Sequence, residues 1–155
     1  MTSDLLEEKI FTIVNHLNYG ISFITNLDEK KSLVVFNLLA ARKARAATAY
    51  QATIEYTKIG LVLLGDNAWK EYYDICLELH DLAAEVAWLL GDLALMNVWI
   101  NNVIENTKNP LDQIRAYFVK IQSLASQNKL QEAISTGLLI LKNFGVTFPE
   151  NPTPD

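Results

Sequence analysis

Apolar side chains recur along this chain at intervals of three and four residues, the period of α-helices with one buried face. Ile10, Ile13, Val14 and Leu17 form the first stripe, with Ser3 or Asp4 placed to cap its start and Gly20 to stop it. A second helix, capped by Asp28, carries Leu33 and Phe36 and then narrows to Ala40, Ala41, Ala44 and Ala47. A third runs from about Thr48 to Leu64 and ends at Gly65, a residue suited to the left-handed turn that closes a helix. From Asp66 or Asn67 the pattern continues through Trp69, Tyr72, Tyr73 and Cys76 to Leu90, as one long helix or as a short one followed by a long one. Gly91 closes that stretch and Asp92 caps the next, whose buried face is expected to be Leu93, Met96, Ile100 and Val103.

Asn109-Pro110 then opens a helix, because proline suits the first helical position. Its expected core stripe is Ile114, Phe118, Ile121 and Ala125. After Asn128 a last helix presents Leu130, Ala133, Ile134, Leu138 and Leu141 and stops at Gly145. About seven helices result, and no alternating strand pattern competes. Residues 1–145 read as a single helical-repeat domain. Residues 146–155 hold three of the four prolines and read as an extended tail or linker.

The helices pair. Leu63-Leu64-Gly65-Asp66 is echoed by Leu89-Leu90-Gly91-Asp92, each able to end one helix and begin another. The segment Ala87 to Leu93, with Met96, Ile100 and Val103 after it, fits the tetratricopeptide frame around its inter-helix turn. Ser126 to Leu130, with Ala133, Ile134 and Ile140, fits the same frame about 37 residues later, close to the 34-residue period of that motif. Met96 stands where that consensus has a small residue. One hairpin cannot hide its own apolar face, so hairpins of this kind stack. The expected fold class is all-α, an α-α superhelix of antiparallel, tetratricopeptide-like hairpins.

A longer run carries a more particular resemblance. Leu38 to Ala52 (LLAARKARAATAYQA) leads to Tyr56, Gly60-Leu61, Leu63-Leu64-Gly65, Trp69 and Tyr73. Ala84-Glu85, Trp88 to Asp92, Leu111-Asp112, Glu132-Ala133-Ile134, Leu141, Gly145-Val146 and Phe148-Pro149-Glu150 follow in order. Over roughly residues 27–150 this resembles the helical region of large bacterial signalling proteins, common in cyanobacteria. There a serine/threonine kinase and an ATPase-like domain precede the region, and sensor domains and a histidine kinase follow it. The resemblance implies a coupling piece of a longer signalling protein, or a small free-standing relative. The family's catalytic motifs are absent: no Gly-rich phosphate loop, no HRD and no DFG stands in this sequence.

Composition narrows the partners. Half of the 155 residues are apolar and a fifth charged, as in a globular domain. Eighteen acidic and thirteen basic residues give a formal net charge of −5, which disfavours nucleic acid and anionic lipid. The single cysteine, Cys76, cannot form an internal disulfide, and no signal or spanning segment is present, so a cytoplasmic setting is expected.

Candidate chemistry is sparse. His16 and His80 are the only histidines, and neither has the local pairing of a metal site, so no metal and no cofactor is expected. His80-Asp81 is similar to the phospho-accepting string of histidine kinases, an acidic neighbour beside a nucleophilic imidazole, although Ala83, Ala84 and Glu85 replace the usual residues downstream. Cys76 lies four residues before His80 on the same predicted face, and reads as a small core residue. The tryptophans and tyrosines read as fillers between hairpins. Arg42, Lys43 and Arg45 form the basic cluster and are the partner-binding candidates. The expected function is a non-catalytic module that grips a peptide or an adjoining protein domain and couples signalling states, with self-association through its end hairpins when alone. Phosphotransfer on His80, or binding of a small apolar effector, are the alternatives.

Overall fold

The periodicity folds as it reads, into helices joined by tight reversals. The computed structural model describes residues 3–149, with side chains from Glu8 onward. The α-helices are α1 (Ser3–Tyr19), α2 (Leu27–Ala46), α3 (Tyr50–Leu64), α4 (Ala68–Glu71), α5 (Tyr73–Leu89), α6 (Leu93–Asn106), α7 (Ile114–Ser126) and α8 (Leu130–Asn143). No strand occurs among the described residues. Seven of these helices are long and α4 is one turn. The stretch left open in the sequence is therefore two helices, broken at Tyr72, whose backbone (φ −135°, ψ 44°) leaves the helical region.

Three reversals share one construction. In each, a residue in the left-handed region follows the helix: Thr48 (φ 59°), Gly91 (φ 77°) or Asn128 (φ 60°). Its N–H bonds back three residues, to Arg45, Trp88 or Ala125. The next N–H, of Ala49, Asp92 or Lys129, bonds back five, to Ala44, Ala87 or Leu124. This is the doubly bonded helix stop that satisfies two orphan carbonyls at once. After each stop a new helix begins at once, so α2/α3, α5/α6 and α7/α8 are antiparallel hairpins. Five residues beyond each left-handed position sits a buried side chain: Thr53, Met96 and Ala133.

The hairpins stack in chain order, with α5 packed on α3 and α2, and α7 on α5 and α6. One apolar cluster gathers Val14 of α1, Val34, Leu38, Ala40, Ala41 and Ala44 of α2, Tyr56 of α3, and Leu79 and Leu82 of α5. A second joins Ile54 of α3 to Ala84, Val86 and Ala87 of α5, Met96, Ile100 and Val103 of α6, and Ala116 and Val119 of α7. Between α1 and α2, Asn18 and Asn37 bond side chain to side chain in both directions, at 2.9 Å each.

Several expected details differ. Asn26, not Asp28, caps α2, its side chain accepting from the Asp28 amide; Asp28 instead sits in the first turn, where the helix dipole favours it. The cap expected at Ser3 or Asp4 falls on side chains outside the described ones. Ile13, Leu17 and Phe36 are exposed although α1 and α2 bury other apolar residues: α1 rests on α2 and α3 through Phe11, Val14 and Asn15, and Ile13 and Leu17 lie off that contact. In α7 the expected stripe is on the wrong side. Ala116, Tyr117, Val119 and Ser123 are buried, while Ile114, Phe118 and Ala125 are exposed and Ile121 is half-buried. Small Ala116 and Ser123 let the neighbouring helices approach, and of the two adjacent rings Tyr117, not Phe118, turns inward. Residues 146–149 carry no regular structure, and the rest of the expected tail lies outside the described residues.

Two helical glycines should respond oppositely to the same substitution. At Gly60, where α3 crosses α5, a methyl would stand 3.1 Å and 3.3 Å from the two terminal carbons of fully buried Leu79. At Gly137 in α8 it would meet only Ile121 Cδ1, at 3.9 Å. Gly60→Ala should therefore lose about 1–2 kcal/mol to overpacking, and Gly137→Ala should gain about 0.5–1 kcal/mol from helix propensity. Urea denaturation of the two variants checks this; a stabilised Gly60→Ala would mean that α3 and α5 do not meet there.

Candidate functional site

The bulky residues that α7 does not bury lie beside a groove of about 530 Å³. Its lining comes from the first helix of each hairpin: Arg45 from α2, then Asp81, Glu85 and Trp88 from α5, then Ile114, Arg115 and Phe118 from α7. Stacking places these three helices side by side, and the second helices of the hairpins contribute nothing to the wall. Trp88, expected between hairpins, is half-buried: one part packs on the second apolar cluster and the rest faces the groove.

The basic cluster borders this region, but its arginines are already engaged. Arg42 donates to Glu78 of α5, with Nη2–Oε2 at 2.6 Å, and Arg45 makes a two-pronged bond to Glu85. The two forks brace α2 against α5 across the joint between their hairpins. Such partly exposed pairs contribute roughly 0.5–1 kcal/mol each, and they also fix register. Lys43 is half-buried beside them. The pairing carboxylates sit 36 and 40 residues away in sequence, where no local pattern could reveal them.

Asp81 is the unusual member of the wall. It is nearly fully buried, and its Oδ1 has no hydrogen-bond partner. Burial pushes its carboxyl up to about 7; Arg115 opposes this, while Glu78, Asp112 and Glu85 add to it.

His80, one residue earlier, points the other way. Its ring lies between Trp69 (4.9 Å between centroids) and Trp99 (5.3 Å, edge-on). Nδ1 donates to the Cys76 carbonyl at 2.7 Å. Burial lowers its pKa, against the raising effect of that hydrogen bond. The ring is thus a largely buried imidazole against two indoles, with Nδ1 committed to the Cys76 carbonyl. The Cys76 thiol is 3.6 Å from Nδ1, but that nitrogen already carries the proton it donates to the carbonyl and is no base for the thiol. Burial pushes the thiol up to about 12, far from a thiolate at neutral pH. His16 is exposed on α1. Among the described residues no group of three or more His, Cys, Asp or Glu side chains could hold a metal ion, and no helix is long and apolar enough to cross a membrane.

Comparison with known proteins adds one relationship. The chain is similar to hybrid signal transduction histidine kinase G of Dictyostelium discoideum, with 25% identity over 157 residues. That match takes in 94% of this chain but 4% of the kinase, so the chain spans a small fraction of the length of that relative. No family model matches the chain. No solved structure matches it either.

Asp81 yields a pH prediction. Its folded pKa lies above the unfolded value, so the native state keeps a proton that the unfolded chain releases between about pH 4 and pH 7. The stabilising contribution of the neutral acid is full at low pH and is lost as pH rises through about 7. Asp81→Asn should therefore be more stable than the parent by on the order of 2 kcal/mol at pH 8, with the advantage gone near pH 4. His80 titrates in both proteins and cancels in the difference. Paired denaturation curves at the two pH values measure this, and a pH-independent difference would place Asp81 in water.

Proposed function

We propose that this chain is a non-catalytic interaction and coupling module of a signalling protein, built from tetratricopeptide-like hairpins, and that it grips a peptide or an adjoining protein domain in the groove between its first helices. One observation carries the reading: α7 buries Ala116, Tyr117, Val119 and Ser123 and leaves Ile114 and Phe118 exposed on the groove side. Exposed apolar side chains gathered at a groove with a few charged groups are what a protein-binding surface requires. The half-buried Trp88 opposite them supplies the flat aromatic wall that commonly anchors such interfaces. The likeness to a segment of a hybrid histidine kinase supports a signal-transduction setting.

In this reading the basic cluster serves the groove indirectly. Arg42 and Arg45, tied to Glu78 and Glu85, hold α2 against α5 and so set one wall. Charge steering by that patch is weak because its arginines are neutralised. Recognition rests on the apolar lip.

Peptides selected from a random display library against the folded chain test the proposal. Bound peptides should shift the backbone resonances of α5 and α7, and Phe118→Glu and Ile114→Glu should each weaken them roughly tenfold or more while leaving the thermal midpoint unchanged. Peptides whose binding ignores both variants would overturn it. In parallel, incubation with acetyl phosphate followed by mass measurement should leave His80 unmodified, because its ring is enclosed by Trp69 and Trp99; a phosphorylated His80 would instead favour phosphotransfer.

A further inference from the structure

Among the described residues two buried polar side-chain atoms lack a hydrogen-bond partner, Trp99 Nε1 and Asp81 Oδ1. Of the two residues, Asp81 belongs to the wall of the groove. It is 6% exposed, yet no described residue donates to its carboxyl. The charged groups around it are engaged elsewhere or held off. Arg42 and Arg45 are bonded to Glu78 and Glu85, and Asp112 accepts from Tyr73 at 2.7 Å. Arg115, exposed on α7, acts on Asp81 only through space. A carboxyl in this position has lost its water and gained no donor in exchange, a costly state for a residue with no other task.

We propose that Asp81 anchors a lysine side chain of the protein segment that the groove grips. This rests on the groove reading and adds to it the charge of the occupant. An ammonium supplies both the donor and the positive charge that the buried acid lacks. An anion would pair with Arg115 instead, but that guanidinium is exposed to water and stays unpaired at little cost. The unsatisfied group is the acid. Only its Oδ1 is shut off from solvent, which leaves Oδ2 as the oxygen that an incoming group meets. One reachable oxygen suits the point charge of lysine better than the planar fork of arginine, which needs two side by side.

The wall around Asp81 suits the rest of such a side chain. Asp81, Glu85 and Trp88 are spaced four and three apart, so they follow one face of α5, with about 10 Å of helix axis between the first and the last. Glu85, between them, is held by Arg45 and does not compete for the cation. Trp88, Ile114 and Phe118 line the same groove. Apolar surface of this kind covers the methylene stem of a lysine while the ammonium reaches past it to a polar partner. The lip thus supplies the grip, and Asp81 selects among the segments that fit. Pairing needs the ionised carboxyl, so a bound lysine displaces the proton that burial holds on Asp81 below about pH 7.

Titration of the full 155-residue chain with Nα-acetyl-lysine amide tests this, read from the methyl resonances of Leu89, Ile114 and Val119 in the groove wall. Nα-acetyl-norleucine amide, which has the same stem without the ammonium, is the reference. Probes this small should bind in roughly the millimolar range. At about pH 8 the lysine amide should bind roughly tenfold more tightly than the norleucine amide. That advantage should be lost by about pH 5.5, as Asp81 takes up its proton. Asp81→Asn should bring the two probes level at both pH values. Arg115→Gln, which removes the opposing charge, should tighten the lysine amide about threefold and leave the norleucine amide unchanged. Equal binding of the two probes by the parent, or a lysine advantage that survives Asp81→Asn, overturns the proposal and leaves the groove reading standing. Nα-acetyl-glutamate amide bound more tightly than the lysine amide overturns it too, and assigns the occupant an acidic side chain facing Arg115. If no probe moves these methyl resonances, the groove reading falls with it.

Discussion

A helix surrounded by others on most sides must be made of residues small enough to let them in, and α5 is that helix here. It touches α2, α3, α4, α6 and α7. Ala83, Ala84 and Ala87 are fully buried along it, with Leu79 and Val86 filling the wider gaps. Backbones separated by alanine approach closely, and the dispersion attraction between them falls away if even one methylene is forced into the gap. Gly60 pressed against Leu79 shows how little slack remains. The groove, the enclosure of His80 and the braces from α2 all depend on α5 sitting at this depth.

The same demand explains where the apolar surplus goes. A helix wedged between neighbours can turn only part of its apolar surface inward. On α7 that part is Ala116, Tyr117, Val119 and Ser123, and Ile114 and Phe118 are left at the groove. On α8 only Ala133 of the expected stripe is buried, and Leu130, Ile134, Leu138 and Leu141 are exposed among the described residues.

This is also what made the chain half legible as sequence. Helices, their number and most stops could be read from period and glycine, and the hairpin at Asn128 was visible because asparagine tolerates the left-handed turn. The boundary near Thr48 was placed as well, but not its left-handed turn, since a β-branched residue rarely adopts that conformation. Its place in the series emerges only from the shared hydrogen bonds. The face of α7 was misassigned because Tyr117 and Phe118 stand side by side in the pattern, and only the assembled fold decides that Tyr117 turns inward. Arg42, Lys43 and Arg45 looked like an open cationic patch, and Glu78 and Glu85, too distant in sequence to be paired by inspection, had already claimed the two arginines. Asp81 gave no signal beyond its place next to His80, because burial is a property of the assembled fold.

The forks between α2 and α5 have a mechanical corollary. A bidentate guanidinium–carboxylate pair resists sliding, because both of its bonds lengthen together when either helix shifts along its axis. Two such pairs favour one register at the first joint of the stack. The second joint, between α5 and α7, is held by apolar packing together with the hydrogen bond from Tyr73 to Asp112, and oily surfaces glide more readily than ionic ones. Sliding between hairpins is therefore opposed by directional bonds at the α2/α5 joint and mainly by packing along the α5/α7 seam, whose two sides line the groove.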